Sequence, residues 1–388
     1  MKIPYVNLSK QYLKEKQKLL SVIDKVLKSG QYVGGDEVEK FEKNIASLLK
    51  TKHCIALNSG TDALTLGLHS LGVRKNDEVI TTSNSFIAST AVIVHLGAKP
   101  VFVDVKKDQT INPELIEKSI TNKTKAIMVV HLTGRICDMD KIIPIAKKYN
   151  IPIIEDAAQA IGSKYRNKYA GTFGKIGCFS AHPLKNLNGA GDGGIIVTND
   201  KQLKQKLKLL RNHGLESRDK VVVWGHNSRL DTIQAAILNY RLARLAKVIE
   251  KRRQFAEIYR RKLKHLVSCP EDMLDCYDTY HLFVIQTPQR DSLKKYFEDD
   301  TELFESYRYN NPILSNTSET PIFTGSWILE YFNIQGVEIS TTITDIEIDD
   351  LVPWHFYMPD NSDILVQSIE VTDNENGSFT PSTEFDLV

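Results

Sequence analysis

Lys185 lies in the run Phe179-Ser180-Ala181-His182-Pro183-Leu184-Lys185-Asn186-Leu187, downstream of Glu155-Asp156-Ala157-Ala158-Gln159-Ala160. An apolar stretch leads to each: Ile151 to Ile154 precedes the acids, and Ile176 to Phe179 precedes the lysine. Gly189, Gly191, Gly193 and Gly194 follow, where backbone can approach a bound group closely. Taken alone, a lysine behind a strand is ordinarily a solvated surface residue, and a strand-end aspartate a helix cap. Brought together at strand ends, the two suit a different chemistry. An amine that has lost its proton attacks an aldehyde to form a Schiff base, and a carboxylate keeps a pyridine nitrogen charged. Pyridoxal phosphate needs both.

A third segment strengthens the combination. Leu57-Asn58-Ser59-Gly60-Thr61-Asp62-Ala63-Leu64 follows the apolar stretch His53 to Leu57 and opens a helix with Leu64, Leu66, Leu68 and Leu71. Gly60 and the hydroxyl of Thr61 sit at its start. A helix N-terminus offers amide hydrogens and the positive end of a dipole, which suits a phosphate. The same residues would also serve as an ordinary serine or threonine cap.

The elements that must position these residues alternate. Strands are predicted at His53–Leu57, Glu78–Thr82, Lys99–Val103, Lys125–Val130, Ile151–Glu155, Ile176–Phe179 and Gly194–Thr198. Helices are predicted between them at Thr61–Leu71, Ser85–His95, Pro113–Ser119 and Met139–Tyr149, after two leading helices at Ser9–Ser29 and Asp36–Lys50. The strands are mostly continuous apolar runs rather than alternating ones, as in a largely parallel sheet covered on both faces. Ligands of such sheets sit beyond the carboxyl ends of the strands, where all three segments fall. Lys201–Asn212 and a long helix from about Asp231 to Lys264 follow, then a strand at His281–Gln286 and a helix from near Asp291. Val337–Ile348 alternates like a strand, and Asp373–Val388 is polar and expected to be disordered.

Charge divides the chain sharply. Residues 299–388 carry 18 acidic residues and one basic residue, Arg308, and no lysine follows Lys295. The whole chain of 388 residues is nevertheless at +2. The break marks a boundary near Phe297. Three parts are expected: a large cofactor-binding domain at 1–240, a linker helix and the start of a small domain at 241–298, and a diverged, replaced or partly disordered acidic segment at 299–388. Lysines and arginines of the body are spread over helix faces with no nucleic-acid motif among them, so no nucleic-acid partner is expected. No apolar run reaches the roughly 20 residues of a membrane span, and the first ten residues lack a signal pattern. The cysteines, Cys54, Cys137, Cys178, Cys269 and Cys276, are odd in number and form no CxxC pair, so neither a metal site nor a disulfide framework is expected. A cytoplasmic protein is the simplest expectation.

With these motifs in view, the chain resembles the DegT/DnrJ/EryC1/StrS family of sugar aminotransferases, from Ile3-Pro4 to roughly Phe297. Further matching stretches are Gln31-Tyr32-Val33-Gly34-Gly35, Val130-His131-Leu132-Thr133-Gly134, Gly191-Asp192-Gly193-Gly194, Arg211-Asn212-His213-Gly214 and Asn227-Ser228-Arg229-Leu230-Asp231. The resemblance implies an α/β, aspartate-aminotransferase-like fold (fold type I of the pyridoxal-phosphate enzymes) with a smaller C-terminal α+β domain. It implies that Lys185 binds pyridoxal 5'-phosphate covalently and shuttles a proton, and that Asp156 pairs with the pyridine nitrogen. Gln159 is implied near the ring, Phe86 stacked on it, and Gly60, Thr61 and Ser180 on the phosphate. Asn227 would reach the phosphate in a neighbouring subunit, which implies a homodimer with shared active sites. His182 is given a supporting role. Substrates would be an amino-acid donor, expected to be glutamate, and a nucleotide-linked keto-sugar, feeding surface polysaccharide or lipopolysaccharide synthesis.

The sequence from Asp299 onward does not follow the family's pattern, which leaves the small domain in question. Two other readings compete. A sugar dehydratase of the same family would carry histidine in place of Lys185. A non-enzymatic regulatory or scaffolding homologue would not need Asp156, Lys185 and Thr61 together. Arg229 and Lys168 are further candidates for holding a charged substrate.

Overall fold

The computed structural model describes residues 7–293 and the strand 326–329. They divide into two compact units. One comprises Tyr12–Glu250 with Asp272–Tyr280; the other takes residues 7–11, Lys251–Glu271 and the described residues from His281 on.

The larger unit is built on a seven-stranded sheet. Its strands are β1 (His53–Leu57), β2 (Glu78–Thr82), β3 (Lys99–Val103), β4 (Thr124–Val130) and β5 (Ile153–Asp156). Two-residue strands β6 (Lys164–Tyr165) and β7 (Lys168–Tyr169) form a small hairpin outside it. β8 (Ile176–Ser180) and β9 (Gly194–Thr198) complete the large sheet, in the order β1-β9-β8-β5-β4-β2-β3. β9 runs antiparallel to both neighbours, and the other pairings are parallel. The mostly parallel sheet expected from the unbroken apolar runs is the one found.

Both faces of that sheet are covered, which explains the absence of alternation. In β1, Cys54 and Ala56 face a cluster containing Phe41, Ile45 and Leu49 of α2 (Asp36–Leu49). Ile55 and Leu57 face the opposite cluster, with Leu64, Leu66 and Leu68 of α3 (Gly60–Ser70). Successive side chains of a strand alternate between the faces, so a run can be apolar throughout only when both are buried.

Element edges differ from expectation where local hydrogen bonding intervenes. β5 begins at Ile153, because Pro152 has no amide hydrogen and the Ile151 amide closes the preceding helix by donating to the Ala146 carbonyl at 2.9 Å. α4 (Ile87–His95) starts two residues later than expected, leaving Phe86 extended at its N-cap rather than within it. The long helix expected from Asp231 to Lys264 is two helices, α8 (Thr232–Leu242) and α9 (Leu245–Leu263). α8 is pinned to α2 by Asn239, whose amide donates to the Glu37 carboxylate at 2.8 Å and accepts from Asn44 at 2.9 Å. At the break, Arg241 and Arg244 both turn onto Glu15. Between the elements named so far lie α1 (Leu8–Ser29), α5 (Pro113–Ile116), α6 (Met139–Lys148) and α7 (Lys201–Leu210).

In the smaller unit, the strand Phe283–Gln286 pairs antiparallel with the strand Ser326–Leu329. Phe283 is fully buried and its ring lies 5.4 Å from that of Tyr259. The expected strand at Val337–Ile348 and the polar segment Asp373–Val388 lie outside the described residues.

Candidate active site

Neighbouring rows of backbone pairings assemble the site. Asp156 ends β5, which pairs in parallel with β8 at Cys178. Ser180 ends β8 and pairs with Gly194 of β9. Gly194 pairs in turn with Leu57, the last residue of β1. Three segments more than a hundred residues apart in part thus reach a single sheet edge, at the strand ends where this architecture places ligands.

Close approach is enforced there by two glycines. A Cβ on Gly60 would stand 2.8 Å from Ser180 Cβ, and one on Gly194 would stand 1.9 Å from the Ser59 carbonyl oxygen. Neither contact is possible for a residue with a side chain. Ser59 caps α3, its hydroxyl accepting from the Asp62 amide at 3.1 Å. The positive end of α3 therefore sits against the end of β8, with Gly60, exposed Thr61 and half-buried Ser180 together. Ser228 ties in the chain that follows, donating to Asn58 Oδ1 at 3.0 Å.

Asp156 is buried. Its Oδ1 accepts the Ala158 amide at 3.1 Å and its Oδ2 accepts the Ser89 hydroxyl at 2.7 Å. Burial pushes its pKa up, and Ser89, the Ala158 amide and Lys185 offset that only in part. Lys185 is close enough for its charge to act on this carboxylate. Its amide donates to the His182 carbonyl at 2.9 Å in the turn that follows β8, and its side chain is half-buried. His182 is exposed.

Gln159 is held from the other side. Its Oε1 accepts the Thr133 amide at 2.6 Å, and Thr133 adopts φ 63°, a left-handed conformation costly for a β-branched residue. Phe86 is 46 % exposed at the start of α4, one turn from Ser89. Asn227 is exposed and pairs with Asn212. Lys168 is exposed on β7, and Arg229 donates to Asn212 Oδ1 at 3.1 Å.

The sequence pattern gave no warning of Ser89, Ser85 or Arg241. Ser89 is completely buried on a mostly apolar helix, and its contact with Asp156 explains it. Arg241 donates to the carbonyls of Asn188 and Gly189, both at 2.9 Å, and so holds the loop that follows Lys185.

The chemistry of this donor set fits pyridoxal phosphate. A buried carboxylate answers a protonated pyridine nitrogen, an amine near it answers an aldehyde, and a helix N-terminus with a glycine in place of a side chain answers a phosphate. Filling that cradle with a Cβ at Gly60 would close it.

The sequence pattern of the DegT/DnrJ/EryC1/StrS aminotransferase family matches residues 13–318, which carries it past the charge break near Phe297. The chain is 41 % identical over 304 residues to the "pleiotropic regulatory protein" of Geobacillus stearothermophilus, covering 77 % of this chain and 82 % of the relative. It is 39 % identical over 300 residues to dTDP-3-amino-3,4,6-trideoxy-alpha-D-glucose transaminase of Streptomyces venezuelae, covering 76 % and 79 %. Among solved structures it matches S. venezuelae DesV in complex with a ketimine intermediate, with a TM-score of 0.76 and 38 % identity over 81 % of this chain and 85 % of that one.

Proposed function

Because the chain belongs to the DegT/DnrJ/EryC1/StrS aminotransferase family, whose members are pyridoxal-phosphate enzymes, we infer that it transfers an amino group from an amino acid to a nucleotide-linked keto-sugar. The observation that carries this reading is the meeting of Asp156, Lys185 and the Gly60–Ser180 cradle at one sheet edge. Transaminases of dTDP-linked sugars among its relatives support the substrate class. Glutamate as donor and a place in surface-polysaccharide or lipopolysaccharide synthesis complete the reading.

When bound, the cofactor supplies an electron sink for the bond broken at the substrate carbon. The chain's own residues do the rest. Lys185 would hold the cofactor by its Nζ and, once an incoming amine displaces it, would take up and return the proton at the substrate carbon. Asp156, ionised and buried, keeps the pyridine nitrogen protonated. Gln159, braced by Thr133, orients the ring from one side, and Phe86 stacks on it. Gly60, Thr61 and Ser180 bind the phosphate at the α3 N-terminus. Asn227 reaches the phosphate of the partner subunit's site in a homodimer. The exposed Val221, Val222 and Trp224, beside the hairpin of β10 (Leu215–Ser217) and β11 (Lys220–Val221), support such an interface.

The test is a visible absorption spectrum of the purified protein with pyridoxal phosphate, before and after glutamate. A cofactor band that shifts on adding glutamate, and that Lys185→Ala abolishes, is the expected result. A band that glutamate leaves unchanged would remove glutamate as donor. Turnover is then followed with dTDP- and UDP-linked keto-sugars.

A second reading, a non-enzymatic regulator, has the name of the Geobacillus relative in its favour. It leaves the buried Asp156 beside Lys185 without a purpose, and absence of any cofactor band would be its signature.

A further inference from the structure

We propose that Ser89, with Ser85 behind it, is a positioning residue for Asp156: two hydroxyls in line at the start of α4 that hold the carboxylate in place and tie it to the segment presenting Phe86. The inference rests on the reading of Asp156 as partner of the pyridine nitrogen.

Ser89 Oγ lies 2.7 Å from Asp156 Oδ2, and Ser85 Oγ lies 2.7 Å from Ser89 Oγ. A hydroxyl has one proton to give. The ionised carboxylate can only accept, so the Ser89 proton goes to Oδ2 and Ser85 must donate to Ser89. The two bonds then point the same way, and each polarises the next. Ser89 is completely buried and Asp156 is 6 % exposed, so no water competes freely for the carboxylate. With Oδ1 taking the Ala158 amide at 3.1 Å, both oxygens are fixed and the carboxylate plane is set.

The same short segment carries the ring-stacking position. The Ser89 amide donates to the Phe86 carbonyl at 3.1 Å, so residues 85 to 89 form one closed turn. A movement of this turn would shift the stacking ring and the carboxylate together. The relay thereby joins a face contact and an edge contact of one flat cofactor.

The relay also offsets the burial of Asp156. Removing the Ser89 hydroxyl makes the carboxylate more basic, so it competes with the pyridine nitrogen for the proton. The titratable groups that face Asp156 are Lys185 and His131, neither of them on α4.

The experiment titrates pyridoxal phosphate into full-length apoprotein and follows the visible cofactor band against pH, for wild type, Ser89→Ala, Ser85→Ala and Asp156→Asn. Ser89→Ala is expected to weaken cofactor binding about tenfold, the scale of one hydrogen bond to a charged group. It should also move the pH midpoint of the band upward, because a less charged ring nitrogen withdraws electrons more weakly. Ser85→Ala should move the midpoint the same way by less, and it decides the matter if Ser89→Ala does not fold. Unmoved midpoints in both serine variants, with Asp156→Asn strongly altered, would overturn the relay and leave the cofactor reading standing. An unaltered Asp156→Asn would instead remove the reading of Asp156 itself, and the relay with it.

Discussion

Glu155 Oε2 lies 2.8 Å from His131 Nε2, and neither side chain is exposed. The Cys137 amide donates to His131 Nδ1 at 3.2 Å, so the ring proton belongs on Nε2 and is donated to Glu155. Glu155 also accepts the Gly171 amide at 2.7 Å and the Gly174 amide at 2.5 Å. Glu155 and Asp156 are neighbours on β5 and so face opposite sides of the sheet. One closes the loop leading into β8, while the other faces the site. The consequence is that Glu155→Gln should damage the site without touching it. A glutamine would turn a donor toward groups that only donate, at a cost of about 2 kcal/mol or more. A fall in the apoprotein's thermal midpoint, with weaker cofactor binding, is the expected observation; an unchanged midpoint would contradict this role.

Asp156 should destabilise the apoprotein at neutral pH. Burial raises its pKa in the folded chain. Between the ordinary carboxylate value and the raised one, the folded state binds more protons than the unfolded state. Stability therefore falls as pH rises through that window, and the loss is complete above it. Asp156→Asn removes the loss. Thermal melts of the two apoproteins should nearly coincide at low pH and diverge at pH 7, with the variant higher, although its turnover falls about a hundredfold or more. A gap that does not grow with pH would sink the argument.

Gly60→Ala should act on the phosphate end. The new methyl would meet Ser180 at 2.8 Å from Cβ and 3.2 Å from Cα, and β8 cannot yield easily because both its neighbours hold it. The α3 N-terminus would move away instead. Cofactor affinity is expected to drop about tenfold or more, by analogy with the loss of a charge-assisted contact. Equilibrium dialysis of the apoprotein against pyridoxal phosphate measures it, and wild-type affinity would show that the cradle does not bind the phosphate.

Arg241 should not be replaceable by lysine. It bonds the Glu15 carboxylate at 3.0 Å and two carbonyls of the loop after Lys185. A lysine cannot span that fork. Glu15 is 4 % exposed and, among the described residues, would keep Arg244 as its partner. Removing one partner of a buried pair costs about 3–5 kcal/mol, and retention of Arg244 should leave Arg241→Lys below that range. Hydrogen exchange at residues 186 to 191 should quicken in Arg241→Lys, and exchange at the wild-type rate would mean the loop is held by other contacts.

The proposed dimer predicts a change at Trp224, which is 92 % exposed in the single chain. Its emission should shift to the red on dilution, as subunits part and the indole meets water. Trp224→Ala should raise the dissociation constant at least about tenfold, as for an aromatic residue central to an interface. Sedimentation across a concentration range checks both, and a monomer at every concentration would withdraw the shared site.

How much of this could be read in advance depended on the range of the interaction. The strands were legible because burial on both faces leaves a largely apolar run, a signal held within four to seven residues. Asp156, Lys185 and Gly60 stood out because Asp156 ends an apolar run, Lys185 follows one in a turn and Gly60 opens a helix. The break between α8 and α9 was not, since it answers to Glu15, more than two hundred residues away in sequence.

Local sequence was enough to read the chemical inventory: a lysine, an acid and a glycine-led helix start, each behind a strand, and the charge break near Phe297. Local propensity and side-chain periodicity suffice for that, because both act between near neighbours. What surrounds the acid comes from the packing of the whole fold. The sheet order sets β5 beside β8 and β9 beside β1, which brings Asp156, Ser180, Gly194 and Ser59 to one edge. α4 then turns Ser89 onto the Asp156 carboxylate in a space closed to water. A hydroxyl in a helix carries no local sign of its partner. The partner is set by packing, and packing is a property of the whole fold.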